Sequence, residues 1–189
     1  MSGILVTLLL SYLLGCFSSA YYLVRWRTGQ DVRQHGSGNA GATNAGRVLG
    51  KWAFVVALLG DAGKGALAVF LAGWLTGGDL WAVALAVPAV IVGHIWPVQM
   101  GFRGGEGFAT AIGALAVLDP LLLLIVGGLP LLFYLTTRKR SLAGVIALLL
   151  VLPTLFFLGR PASEWVGLLL VLAVMLWAFR RHIQRVLGR

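Results

Sequence analysis

The sequence has a single cysteine, Cys16, so no disulfide can close within the chain. It also has no Cys and His cluster at metal-ligand spacing, and no metal site is expected. Acidic residues are scarce: 6 Asp and Glu stand against 15 Lys and Arg, for a formal net charge of +9. Charged residues of both signs make up only 11% of the chain, well short of a soluble domain. No internal repeat is visible, which weighs against a transporter built from two related halves, even though two charged residues lie inside apolar sequence.

What is present is oil. Hydrophobic residues make up 59% of the 189 residues, and the mean hydropathy is +0.92. The expected class is all-α, a polytopic integral membrane helix bundle occupying residues 1–189 as a single domain, with about seven transmembrane segments. In a soluble protein the positive charge would suggest nucleic acid. In a membrane protein it reports orientation and attraction to anionic lipid, so no nucleic-acid partner is expected. The opening MSGILVTLLLSYLLGCFSSA imitates a secretory signal. No Lys or Arg precedes its apolar run, however, and more membrane sequence follows, so Ile4 to Val24 is read as a retained span.

Hydropathy predicts further spans over Trp52 to Thr76 and Leu80 to Met100. The apolar stretch from Phe108 to Thr137 is interrupted by Asp119 and Pro120, and proline disfavours a helical residue before it. Splitting it there gives a short piece, Phe108 to Leu118, and a second, Leu121 to Thr137; Ser141 to Leu158 and Trp165 to Phe179 complete seven crossings. With the N-terminus out and the C-terminus cytoplasmic, 13 of the 15 basic residues then lie inside, leaving Arg160 outside and Lys64 within a span. The piece Phe108 to Leu118 is short for a crossing and is expected to be a half-helix or re-entrant segment covered by protein.

The run HGSGNAGATN, His35 to Asn44, is foreign to its oily surroundings. Its GSGNAG matches GxGxxG by letter, yet that fingerprint requires a preceding strand and a βαβ unit, and here a membrane span and a basic loop precede it. The physics that survives is simpler. Glycines let backbone N–H groups approach an anion, and a helix beginning around Thr43 points its positive end at it. Arg47, one turn in, adds a fork for phosphate oxygens. GDAGKGA imitates a Walker loop but carries Leu58 and Gly65 where that loop needs Gly and Ser or Thr. Asp61 and Lys64, three apart within an apolar span, either form a structural ion pair or face a wet cavity. Along a straight helix Lys64 stands about 25 Å from Arg47. If both serve one site the helix must break, and Gly60, Gly63 and Gly65 mark the expected break. GHIWPVQMGFRGGEGFAT sets His94 near a span end, followed by a turn in which Gly104, Gly105 and Gly107 accompany Arg103 and Glu106, able to bring backbone amides close to a ligand. The basic end FRRHIQRVLGR suits anionic headgroups and carries His182. In the charge-based topology these polar segments share the cytoplasmic face.

Together the pieces resemble the PlsY-type glycerol-3-phosphate acyltransferases, bacterial integral membrane enzymes. The resemblance covers nearly the whole chain and rests on GSGNAGATNAGRVLG, on DAGKG, on GHIWPV followed by FRGGEGFAT, and on the terminal RH. It implies a seven-helix protein of the bacterial cytoplasmic (inner) membrane, multi-pass, with its active site facing the cytoplasm. The implied reaction moves an acyl group from acyl phosphate to the 1-hydroxyl of sn-glycerol 3-phosphate, giving lysophosphatidic acid and phosphate in phospholipid synthesis. No cofactor is implied, and neither acyl-CoA nor an HxxxxD motif; five residues after His35, His94 and His182 stand Ala40, Gln99 and Leu187. The resemblance implies catalytic roles for Ser37, His94 and His182. It implies substrate or phosphate contacts for Gly36, Ser37, Gly38, Asn39, Gly41, Thr43, Asn44, Arg47, Lys64, Arg103, Gly104, Gly105, Glu106 and Gly107. The implied partners are acyl phosphate, glycerol 3-phosphate, the lipid bilayer and an upstream acyl-phosphate-producing enzyme. Two positions depart from the family pattern: Glu106 replaces a Lys, and Arg185 stands where an Asn is expected after the terminal Arg-His. The first puts an anion where a phosphate-binding cation belongs. It leaves a second expectation open, a catalytically impaired paralogue that binds phosphate-bearing lipid precursors.

Overall fold

The computed structural model describes residues 2–138 and 140–187, with the side chains of 2, 140, 141, 143–145, 148 and 179–187 excepted. The side chains of His182 and Arg185 therefore lie outside the described residues. The described chain is helical throughout: α1 Ser2–Cys16, α2 Ser19–Thr28, α3 Ala42–Leu49, α4 Lys51–Thr76, α5 Leu80–Ile95, α6 Phe108–Leu118, α7 Pro120–Leu123, α8 Leu129–Thr137, α9 Arg140–Phe157 and α10 Ala162–Leu187. Short 3-10 turns occupy Val32–Gln34 and Val98–Met100, and a π-helical turn, Leu124–Gly128, joins α7 to α8.

Among the described residues, four segments are long and apolar enough to cross a membrane: Gly3–Thr28, Lys51–Thr76, Leu80–Met100 and Pro120–Thr137. Phe108–Leu118 and Ala162–Ala178 are shorter apolar helices. The break expected at Asp119 is present: the Asp119 carboxylate accepts from Leu122 N at 3.1 Å and caps α7, with Pro120 in its first turn. α6 stops after 11 residues, about 16 Å of rise, roughly half a hydrocarbon core.

Two expectations are corrected. The span Ile4 to Val24 is two helices, interrupted between Cys16 and Ser19. And α4 runs unbroken through Gly60, Gly63 and Gly65; the chain bends instead at Gly50, where φ is +93°. The small residues of α4 allow close packing. A Cβ on Gly65 would stand 2.1 Å from the Thr110 carbonyl oxygen, and one on Gly113 of α6 1.8 Å from that of Ala62. Gly15 and Gly93 bring α1 and α5 together in the same manner. The main core, with Val69, Val87, Ile91 and Val171 among its members, joins α4, α5, α6 and α10.

Candidate active site

Breaking a helix inside a membrane strands carbonyl and amide groups that lipid cannot satisfy. At the α1–α2 break the protein supplies the missing partners from other helices. The Lys64 ammonium donates to the Gly15 carbonyl at 2.9 Å and to that of Phe17, and Gln99 Nε2 donates to the Cys16 carbonyl at 2.6 Å. At the start of α2, Ser19 N donates to Asp61 Oδ1 at 3.1 Å. Lys64 and Asp61 also pair with each other at 3.2 Å, and Lys64 Nζ lies 2.7 Å from His94 Nδ1. Of the two roles expected for Lys64, ion pairing and phosphate binding, the geometry favours the first: its ammonium is ringed by the Asp61 carboxylate, two carbonyls and an imidazole.

The break aims the chain at the next loop, since Ser18 Oγ donates to the Ala40 carbonyl at 3.1 Å. That loop is wound around Asn44, which is 1% exposed. Its Nδ2 lies 2.8 Å from Val32 O, 2.9 Å from His35 O and 3.0 Å from Asn39 O, while Oδ1 accepts from Ser37 N at 3.0 Å. Glycine is required at Gly36, with φ of +57° and room for a Cβ only 2.2 Å from Asn44 Oδ1. Asn44, expected to touch phosphate, thus spends its polar atoms on the loop backbone and presents Ser37. Gly41 precedes α3 without a side-chain cap, so the positive end of that helix stays available next to the loop.

The Gly-rich turn meets this loop from the other side. Gly104 N and Gly105 N donate to the carbonyls of Ile95 and His94 at 3.0 and 3.1 Å, and Ala40 N reaches Gly104 O at 3.4 Å. Gly105 covers the His94 ring so closely that a Cβ there would stand 2.2 Å from Nε2. His94 is 3% exposed, with one ring nitrogen facing Lys64 and the other facing Gly105. The resemblance implied a catalytic role for it, and the ring also borders the cavity between loop and turn. Beside the turn, Asp31 and Arg33 form a forked ion pair with Nη2 to Oδ2 at 2.7 Å and Nε to Oδ1 at 3.0 Å. The guanidinium holds the Asp31 carboxyl below the ordinary range for Asp, and the carboxylate raises Arg33 in turn.

Loop and turn enclose an open cavity of about 250 Å³ lined by Ser37, Asn39, Gly41, Thr43, Asn44, Arg47, Asp61, His94, Glu106 and Gly107, with Phe54, Leu58 and Phe108 as apolar walls. Gly36, Gly38, Arg103, Gly104 and Gly105 flank it in sequence without being among its lining residues, and Lys64 lies behind it. A second cavity, about 340 Å³ and almost wholly apolar, runs between α6, α7, α9 and α10 past Ala111, Leu115, Leu122, Val151, Leu168 and Met175. Phe108 lines both. Sequence reasoning missed Ser18, Gln99 and Arg33. The two short polar side chains offered no signal, but the Asp31, Arg33 spacing just ahead of the Gly-rich run did.

The family model described as Glycerol-3-phosphate acyltransferase matches residues 5–189. The chain belongs to the glycerol-3-phosphate acyltransferase family. It is 43% identical to Glycerol-3-phosphate acyltransferase 1 of Desulfitobacterium hafniense (strain Y51), over 95% of this chain and 88% of that one. It is likewise 43% identical to the Glycerol-3-phosphate acyltransferase of Halalkalibacterium halodurans, over 94% and 89%. Its structure is similar to the crystal structure of PlsY (YgiH), an integral membrane glycerol 3-phosphate acyltransferase, in the glycerol 3-phosphate form, with a TM-score of 0.84 and 32% identity across 98% of this chain and 92% of that one. The lysophosphatidic acid form of PlsY gives a TM-score of 0.82 at 31% identity over the same shares. With these relatives and its apolar helices, the chain is a multi-pass membrane acyltransferase.

Proposed function

We infer that this protein transfers an acyl group from acyl phosphate to the 1-hydroxyl of sn-glycerol 3-phosphate, releasing lysophosphatidic acid and inorganic phosphate. The observation that carries the reading is the pair of cavities meeting at Phe108: one polar and bordered by Arg47, Ser37 and the uncapped start of α3, the other apolar and lined by α6, α7, α9 and α10. Both substrates carry phosphate and one carries an alkyl chain, so a polar cradle sharing the wall residue Phe108 with an oily groove matches their chemistry. PlsY, the similar protein of known structure, has been solved with glycerol 3-phosphate and with lysophosphatidic acid.

In this reading Arg47 supplies fixed charge and Ser37 a hydroxyl, while Gly107 borders the ligand from the opposite side. The glycerol oxygen attacks the acyl carbon, the bond from that carbon to the phosphate oxygen breaks, and the hydroxyl proton leaves with the phosphate. The protein contributes positioning and charge, which suits a site whose His94 is already engaged by Lys64. The cavity opens to the cytoplasm, on the face that the basic residues assign to the inside. The bundle has about seven transmembrane segments in the bacterial inner membrane, with α6 the short or re-entrant one and the N-terminus out, and an acyl-phosphate-producing enzyme works upstream.

Glu106 supports a second reading. It lines the polar cavity where the family pattern has a cation, and loss of that cation's stabilisation of the departing phosphate would leave a binder with little turnover.

Purified protein given palmitoyl phosphate and glycerol 3-phosphate is expected to form lysophosphatidic acid and phosphate in equal amounts, and nothing from palmitoyl-CoA. Arg47→Ala should lower kcat/KM on the order of a hundredfold. Product from palmitoyl-CoA would overturn the donor assignment. No product except in Glu106→Lys would favour the impaired binder.

A further inference from the structure

Arg33 belongs to neither the cavity lining nor the membrane core, yet its guanidinium gathers contacts from segments about 70 residues apart in sequence. Asp31 grips it from one side through three hydrogen bonds of 2.7 to 3.1 Å, and the ring of Tyr21 lies under it at 5.3 Å. With its fork thus fixed, Nη1 donates to the Met100 carbonyl at 2.7 Å and to the Arg103 carbonyl at 3.1 Å. Those two carbonyls bracket an unusual piece of backbone. Gly101 and Phe102 both occupy the left-handed region, with φ of +63° and +58°, a conformation that a bulky residue such as Phe adopts only when its surroundings impose it. The Phe102 side chain is 57% exposed, so packing of its ring does not impose it; the restraints are backbone bonds from Met100 N and Phe102 N to Pro97 O and the two bonds from Arg33. The turn so held runs directly into Gly104, Gly105 and Glu106, while Arg33 itself stands four residues before Ser37, which lines the cavity.

We propose that Arg33 is a positioning residue that clamps the Met100–Arg103 turn to the Ser37 loop and so sets the width of the phosphate cavity. The clamp needs a planar fork anchored on one edge and donating from the other, which an ammonium cannot reproduce. Because it shapes the cavity equally for bound substrate and for the transition state, its loss weakens glycerol 3-phosphate binding and leaves the chemical step largely alone.

The proposal rests on the acyltransferase reading, so the test pairs steady-state kinetics with direct binding of glycerol 3-phosphate by calorimetry on full-length protein in micelles. Arg33→Lys, which keeps the charge, is expected to raise KM for glycerol 3-phosphate on the order of tenfold, with kcat within about twofold. Asp31→Asn frees the guanidinium without removing it and should move KM in the same direction by less, which carries the test if Arg33→Lys does not fold. Arg25→Lys, an exposed cation of α2 outside the cavity lining, should leave KM unchanged. KM equal to that of the unmodified protein in both clamp variants, or a fall in kcat at constant KM, would overturn the clamp. If the unmodified protein turns over no substrate, the donor and reaction assignment fails while the binding comparison still decides the clamp: roughly tenfold weaker affinity in Arg33→Lys supports it and equal affinity overturns it. Absence of both turnover and binding in the unmodified protein would overturn the cavity reading and the clamp together.

Discussion

Between Ser18 and Gly105, polar side chains reach across the chain to hold backbone: Asn44 organises one loop, Arg33 grips the facing turn, and Lys64, Asp61 and Gln99 cap a broken helix. From α7 to α10 the cohesion is of another kind. Leu122, Val151, Leu155 and Leu168 form a separate apolar cluster, and a charged tie closes one end of it, where Arg160 Nη2 and Nε reach Asp119 Oδ1 and Oδ2 at 2.8 and 2.7 Å. Directional bonds fix a small hydrophilic cavity at sub-ångström tolerance, as phosphate recognition requires. Nondirectional packing leaves an oily groove that accommodates an alkyl chain by contact area alone. One half of the molecule specifies, and the other accommodates.

That contrast is broken most severely at Asn44. Asn44→Ala strands the Val32, His35 and Asn39 carbonyls and the Ser37 amide, and is expected to cost about 2–3 kcal/mol of stability together with nearly all acyl transfer, measured as a fall in melting temperature and specific activity. A variant that melts as the unmodified protein does and still turns over would show that the loop does not depend on its buried amide.

The accommodating half should respond in a graded way. Ala111→Phe fills the groove between α6 and α10, so activity with palmitoyl phosphate should drop roughly tenfold while a short acyl phosphate is spared, an overpacking effect of about 1–3 kcal/mol. Equal loss with short and long donors would mean that the acyl chain lies elsewhere.

The smallest effect sharpens the comparison at its polar edge. Since Arg33 lowers the folded-state value of the Asp31 carboxyl, the pair contributes fully above the unfolded value near about 4 and is lost as pH falls through the lower folded value. The melting-temperature gap between the unmodified protein and Asp31→Asn should therefore stay constant from about pH 8 to pH 5 and shrink only below about pH 4. A gap that grows on acidification would reverse the sign of the argument.

Much of this was legible in the sequence because the signals are local. Asp119 and Pro120 announced the end of α6, the apolar runs announced the long helices, and GSGNAGATN announced a loop opening onto α3. What was hidden depends on partners distant in the chain. Hydropathy runs smoothly across Cys16 to Ser19, so nothing there foretold a break whose carbonyls are met by Lys64 and Gln99. Gly60, Gly63 and Gly65 looked like weakness in α4, whereas two of them are packing surfaces against Ser19 and Thr110. Asn44 looked like a ligand because a sequence does not tell an amide that points outward from one turned inward.

The most direct test is a structure of this protein with glycerol 3-phosphate bound. The phosphate is predicted to sit between Arg47 and Ser37 on one side and the Glu106–Gly107 backbone on the other, with the Arg33 bonds to Met100 and Arg103 intact. Phosphate density outside that cavity, or density beside Lys64 with its bonds to Gly15 and Phe17 released, would contradict the account.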